Sequence, residues 1–159
     1  MLRTFTNGTI EYFIDPIRRL IFTRWEGDVR GEELLKASPE LWRQYPEVGR
    51  WDAIHDMMDF TGLLEHRHTR ALMQLRAELV LDFNPNVRTA VVSGDRMKTF
   101  EIKVTKVTAP DRQFQLFESN AAALDWMSAG THRAAPDPAG APLPWWFERK
   151  SAAKPEPVR

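Results

Sequence analysis

Hydrophobic periodicity along this chain specifies an α/β protein: a mixed, mostly parallel five-stranded sheet with about four helices packed on it, in the order ββαβαβαβα. Three observations carry that expectation. Short apolar runs alternate with longer amphipathic ones, the pattern of strands joined by crossover helices. The first two apolar runs are separated only by a turn around Asp15-Pro16, too little for a crossover, so they form one antiparallel hairpin. A length of 159 residues at 43% hydrophobic content is that of one globular domain.

The elements follow in order. Thr9 to Ile14 alternates Ile10, Tyr12 and Ile14 with Glu11, and Arg19 to Trp25 is the second strand, closed by Gly27. Glu32 and Glu33 suit a helix N-terminus, and Leu34, Leu41 and Tyr45 share one helical face. Ser38-Pro39-Glu40 reads as a fresh N-cap with proline at the first helical position, which predicts a bend. Asp52 to Phe60 is a strand ending at Thr61-Gly62, and Leu64, Leu72, Leu75 and Leu79 mark a helix from about Leu63 to Asp82, broken by Asn84-Pro85-Asn86. Val87 to Ser93 is a strand covered on both faces, ended by Gly94-Asp95. Arg96 to Thr108 fits both periods and is assigned to helix, because a parallel crossover needs one before the strand Gln113 to Glu118. Ser119 then caps a helix over Asn120–Ala129.

Charge and proline divide the chain. Six of the 11 prolines lie in residues 131–159, with five basic residues against three acidic, leaving 17 against 19 in residues 1–130. Proline removes amide donors and fixes φ, so the expected organisation is a folded domain over 1–130 and a Pro/Ala-rich extended tail over 131–159. Inside the tail, Trp145-Trp146-Phe147 is costly to leave in water. It either docks back onto the body, the favoured reading, or serves as an aromatic anchor for a partner.

The same composition excludes several activities. The net charge is zero, which argues against nucleic acid as a partner. With no cysteine there is no disulfide framework, thiolate metal site, iron–sulfur cluster or Cys nucleophile. No apolar run approaches a membrane span and no signal-peptide core is visible, so the expected compartment is the cytoplasm. Neither phosphate-binding glycine motif nor a nucleophile elbow occurs, so no cofactor and no catalytic residue is expected. His55, Asp56, Asp59, His66 and His68 are of metal-ligating type, but His66 and His68 diverge on a helix and His55 and Asp56 on a strand, so no metal is expected either. Arg96, Lys103 and Lys106 share a face of the assigned helix, with Lys98 apart, and read as a solvated patch. Arg18-Arg19 reads as turn chemistry.

Four stretches, in order, carry a resemblance. They are Ile21-Phe22-Thr23-Arg24-Trp25-Glu26-Gly27; Ile54-His55-Asp56-Met57-Met58-Asp59-Phe60-Thr61-Gly62; Thr89-Ala90-Val91-Val92-Ser93-Gly94-Asp95; and Phe117-Glu118-Ser119 leading to Ala123-Leu124-Asp125-Trp126-Met127. Together they resemble the STAS/SpoIIAA-like superfamily of small α/β domains, more narrowly the bacterial SpoIIAA-like, STAS/CRAL-TRIO-type proteins. The resemblance implies a non-enzymatic regulatory or protein–protein interaction domain, with a protein partner or homo-oligomer. In STAS antagonists a phosphorylated Ser or Thr in Asp-Ser-Ser/Thr-Gly-Leu is the switch. The matching stretch here is Asp59-Phe60-Thr61-Gly62-Leu63, in which Phe60 replaces the small residue. A phosphate there would sit over a helix N-terminus, whereas the plainer role for Thr61 is to cap the Leu63–Asp82 helix. The candidate binding or switch residues are therefore Asp59, Thr61, Gly62, Trp145, Trp146 and Phe147. Similarity to CRAL-TRIO domains implies, as an alternative, a small apolar ligand or lipid lined by Met57, Met58, Met73, Met97 and Met127.

Overall fold

A sheet with both faces apolar organises the chain. The computed structural model describes residues 1–80, 87–94, 113–129 and 142–148. Its strands are β1 (Leu2–Thr4), β2 (Asn7–Asp15), β3 (Leu20–Asp28), β4 (Asp52–Phe60), β5 (Arg88–Val92) and β6 (Gln113–Phe117); its helices are α1 (Gly31–Gln44), α2 (His66–Leu79) and α3 (Asn120–Ala129), with a 3₁₀ turn at Pro46–Arg50. The strands lie in sequence order across one sheet. β1, β2 and β3 are antiparallel, and β3 to β6 run parallel.

The fold class stands, with corrections. The sheet has six strands rather than five, because Leu2–Thr4 pairs with Thr9–Glu11 and the Met1 ammonium donates to the Tyr12 carbonyl at 2.7 Å. Three residues are too few to show a period. Three helices are present among the described residues instead of four. The expected helix over Arg96–Thr108, its basic residues, Met97 and the Asn84-Pro85-Asn86 break lie outside the described residues.

Local chemistry accounts for the rest. Asp15 closes the hairpin turn: its Oδ1 accepts from the amides of Ile17 and Arg18 at 3.0 Å each, and its Oδ2 pairs with the Arg18 guanidinium. Gly27 does not close β3 but sits within it, at φ 72°, beside a register shift between Arg24 and Glu26. A Cβ there would lie 2.5 Å from the Asn7 carbonyl oxygen, so only glycine fits both the backbone angle and the space. Helix α1 runs unbroken through Pro39, and Ser38 donates to the Leu34 carbonyl at 2.8 Å instead of starting a new helix. Burial of Leu34 and Leu41 against the sheet outweighs the one backbone bond that proline forfeits. Ser119 does cap α3, accepting from the Ala122 amide at 3.2 Å.

Strand alternation sorts the core into two layers. Ile10, Tyr12, Ile21, Trp25, Ala53, Met57 and Val91 face α1 and α2 with Leu34, Leu41 and Leu72. Leu20, Phe22, Ile54, Ala90 and Val92 face the other way, toward Ala123 and Met127 of α3 and toward Trp146. Phe22 and Ile54, each 1% exposed, contribute about 1.5–3 kcal/mol apiece through burial. No helix among the described residues is long and apolar enough to cross a membrane.

Candidate interaction surface

The carboxyl ends of the parallel strands gather the candidate residues, as is general for sheets of this kind. The β4–α2 connection, residues 61–65, is extended backbone rather than helix; α2 begins at His66 with Glu65 as its N-cap. Thr61 therefore does not cap α2, and a phosphate on it would not lie over that helix's N-terminus. The Thr61 amide instead donates to the Gly27 carbonyl at 3.0 Å, tying the connection to the end of β3. Gly62 packs so tightly on Val29 that an added Cβ would lie 2.3 Å from the Val29 carbonyl oxygen. This anchoring leaves the Thr61 side chain exposed and turns Leu63 outward at 63% exposure, while Leu64 packs against the core. Glycine at 62 was legible as part of a turn motif; its tight seat on Val29 was not.

Beside this connection lies a buried cation. Arg24 is 6% exposed and forms ion pairs with Glu26 and, at 3.0 Å, with Asp59. Its guanidinium also stacks over the Trp145 ring, 5.5 Å from the centroid. The Trp145 indole N–H donates to Glu11 Oε1 at 3.1 Å, and Glu11 faces Arg24 across the β2–β3 ladder. Arg24 was missed as a site residue, although it bears a readable signal: it is the ionisable residue on the strand face otherwise made by Leu20 and Phe22.

Asp56 repeats the pattern between Ile54 and Met58. Its carboxylate, 8% exposed, accepts from Asn120 Nδ2 at 2.8 Å and from the Met58 amide at 3.2 Å. Burial nonetheless pushes the carboxyl above the usual carboxylate range, against those hydrogen bonds and the nearby Arg24 charge. Arg24, Asp56, Asp59, Ser119, Asn120 and Phe147 line a cavity of about 430 Å³. Met58, Val92 and Ala121 also line it, so its walls mix charged and apolar groups. Met58 lies on the cavity wall, whereas Met57 and Met127 belong to cores on opposite faces of the sheet.

The three described histidines do not converge. His55 Nδ1 lies 2.7 Å from Thr23 Oγ1, which in turn accepts from the Trp25 indole at 2.8 Å. Asp56 points to the opposite face. His68 is buried against Gly31, with Nε2 2.9 Å from Glu32 Oε1 and Nδ1 accepting from the Glu65 amide at 3.3 Å. His66 is exposed. Among the described residues no three His, Asp or Glu side chains are grouped to hold a metal ion.

The Trp-Trp-Phe cluster is divided by role. Trp146 is 3% exposed inside the second core, Phe147 meets the Phe22 ring edge-on at 6.0 Å, and Trp145 is 67% exposed above Arg24. Residues 142–148 thus lie on the body.

No protein-family model matches the chain, and no curated protein matches it in sequence. Among solved structures, it is similar to an uncharacterized protein of the DUF3478 family with a SpoIIAA-like fold from Shewanella loihica PV-4. The identity is 18%, the match covers 79% of this chain and 98% of that one, and the TM-score is 0.50. The likeness establishes the fold alone: this chain has a SpoIIAA-like fold.

Proposed function

We propose, from the SpoIIAA-like fold as premise, that this chain is a non-enzymatic regulatory domain that binds a partner protein through the Thr61–Leu64 connection. The observation that carries the reading is the presentation of Leu63. A large apolar side chain stands in water on a backbone held by the Thr61–Gly27 hydrogen bond and by the seat of Gly62 on Val29. A rigid, exposed aliphatic anchor of this kind loses little entropy on docking, which favours association. Thr61, exposed beside it, is the point at which a phosphate would add charge to the docking turn itself. The separation of Met57 and Met127 onto opposite faces of the sheet weighs against the small-apolar-ligand alternative.

The test uses the full chain as bait, followed by titration of the purified binder against variants. Leu63→Arg should weaken binding at least about tenfold, or about 1.4 kcal/mol, and Thr61→Glu should weaken it in the same direction. A binder indifferent to Leu63→Arg, or a stoichiometric small ligand in native mass spectrometry with no protein partner, overturns the reading.

A further inference from the structure

The sheet face opposite α1 and α2 is only partly roofed by helix. α3 packs over β4, β5 and β6, and the segment Pro142–Glu148 lies across the Phe22 side of the same apolar face. How that segment is held is informative. Pro142 and Pro144 have no amide N–H to give. The Phe147 amide donates within the segment, to the Pro144 carbonyl at 2.9 Å. The one bond from the body to the segment's backbone among the described residues runs from Arg18 Nη1 to the Pro142 carbonyl, at 3.4 Å. Among the described residues no ladder joins this strap to the sheet. Side chains do the holding: Trp146 in the core with Leu143 and Phe147 at its margins, and Trp145 clamped between the Arg24 cation and the Glu11 carboxylate.

That is the binding mode of a short linear ligand, with a buried aromatic anchor and a polar register mark, rather than of a structural element. We propose that the trough over Phe13, Leu20 and Phe22, rimmed by α3, Arg24 and Glu11, is a docking groove for a proline-bearing aromatic segment of a partner protein, and that Pro142–Glu148 occupies it in cis as a built-in competitor. The chemistry of the occupant follows from the seat. It needs one indole to fill the apolar trough and a neighbouring aromatic ring to cover the Arg24 guanidinium. That second ring must also carry an N–H for Glu11. The strap belongs to the same chain, so its docking is intramolecular and a trans ligand at micromolar concentration is excluded until the strap lifts. Leu63 and Thr61 do not line this groove, and its failure leaves the Thr61–Leu64 reading untouched.

The probe is a fluorescein-labelled peptide of residues 142–148, followed by anisotropy against the full chain and its full-length Trp146→Ala variant. The variant, its groove vacated, should bind the peptide at least tenfold tighter than the wild type, and a peptide with alanine in place of its second tryptophan should not bind. Equal or absent binding by a variant that keeps its far-UV circular dichroism overturns the proposal. Should Trp146→Ala not fold, the wild-type chain carrying 5-fluorotryptophan serves instead. Millimolar unlabelled peptide should move the Trp146 resonance from a buried to a solvent-exposed position, and an unmoved resonance overturns the proposal. A concentration-dependent dimer that Trp146→Ala abolishes would also overturn it, in favour of strap exchange between two copies.

Discussion

Gly27→Ala tests whether the junction of β2, β3 and the docking turn is as constrained as its geometry requires. At φ 72° an alanine enters the left-handed region, which costs about 1–2 kcal/mol. Its Cβ would also lie 2.5 Å from the Asn7 carbonyl oxygen and 3.1 Å from Gly8 Cα. Both are backbone atoms of the paired strand and cannot turn aside as a side-chain tip would, so relief requires a strand shift costing roughly 1–3 kcal/mol more. The expected loss is about 2–5 kcal/mol, and at a urea slope of about 1.5 kcal/mol/M the unfolding midpoint should fall by roughly 1.3–3.3 M. Gly94→Ala is the matched control, because nothing among the described residues stands within 4 Å of its added Cβ; it should stay within about 0.5 kcal/mol of wild type. Since the Gly27 carbonyl accepts from the Thr61 amide, hydrogen exchange at Thr61 should also quicken in Gly27→Ala. Equal urea midpoints for the two alanine variants would refute the argument.

Three further outcomes follow from buried contacts. Gly31→Ala would place a Cβ 2.2 Å from the His68 ring, which is fixed by Glu32 and the Glu65 amide; it should cost about 1–3 kcal/mol by urea unfolding, and combining it with His68→Ala should recover part of that loss. Burial pushes the Tyr12 phenol up to about 12, so the unfolded chain ionises first; stability present below about pH 10 should be lost as pH rises through 12, and Tyr12→Phe should flatten that slope. The Asp56 carboxyl is raised by burial and held down by Arg24, so Arg24→Met should raise it further in a carbon-detected NMR titration. The sign for stability follows: Asp56 favours the fold while protonated, and that contribution is lost as pH climbs through its raised value, so Asp56→Asn should remove this part of the pH dependence.

What could be read from the residues was whatever depends on short-range pattern. Val87 to Ser93 is apolar on both faces and becomes β5, paired on both sides; Asp15-Pro16 and Ser119 supply their own turn and cap chemistry; the hairpin and the parallel order follow from connection lengths. The four ordered stretches pointed to the fold that the DUF3478-family structure shares. Pattern failed where a residue's role depends on what lies across space. Pro39 reads locally as a helix start, and packing of Leu34 and Leu41 carries the helix through it. Thr61 reads locally as a cap, yet its amide is captured by Gly27, more than thirty residues earlier, and the helix waits until His66.

The sites divide in the same way. Sequence alone determined the strand-and-helix order, the absence of cysteine chemistry and the oddity of a Trp-Trp-Phe cluster in a proline-rich stretch, because composition and alternation are local properties. Only the tertiary structure decided that Arg24, Asp59, Glu11 and Trp145 meet, that Asp56 is buried against Asn120 while His55 faces the other side, and that Trp146 completes a core begun by Phe22. Those are contacts between residues up to 134 positions apart in the chain. Their energy comes from desolvation and packing at one place in space, which a one-dimensional pattern does not encode.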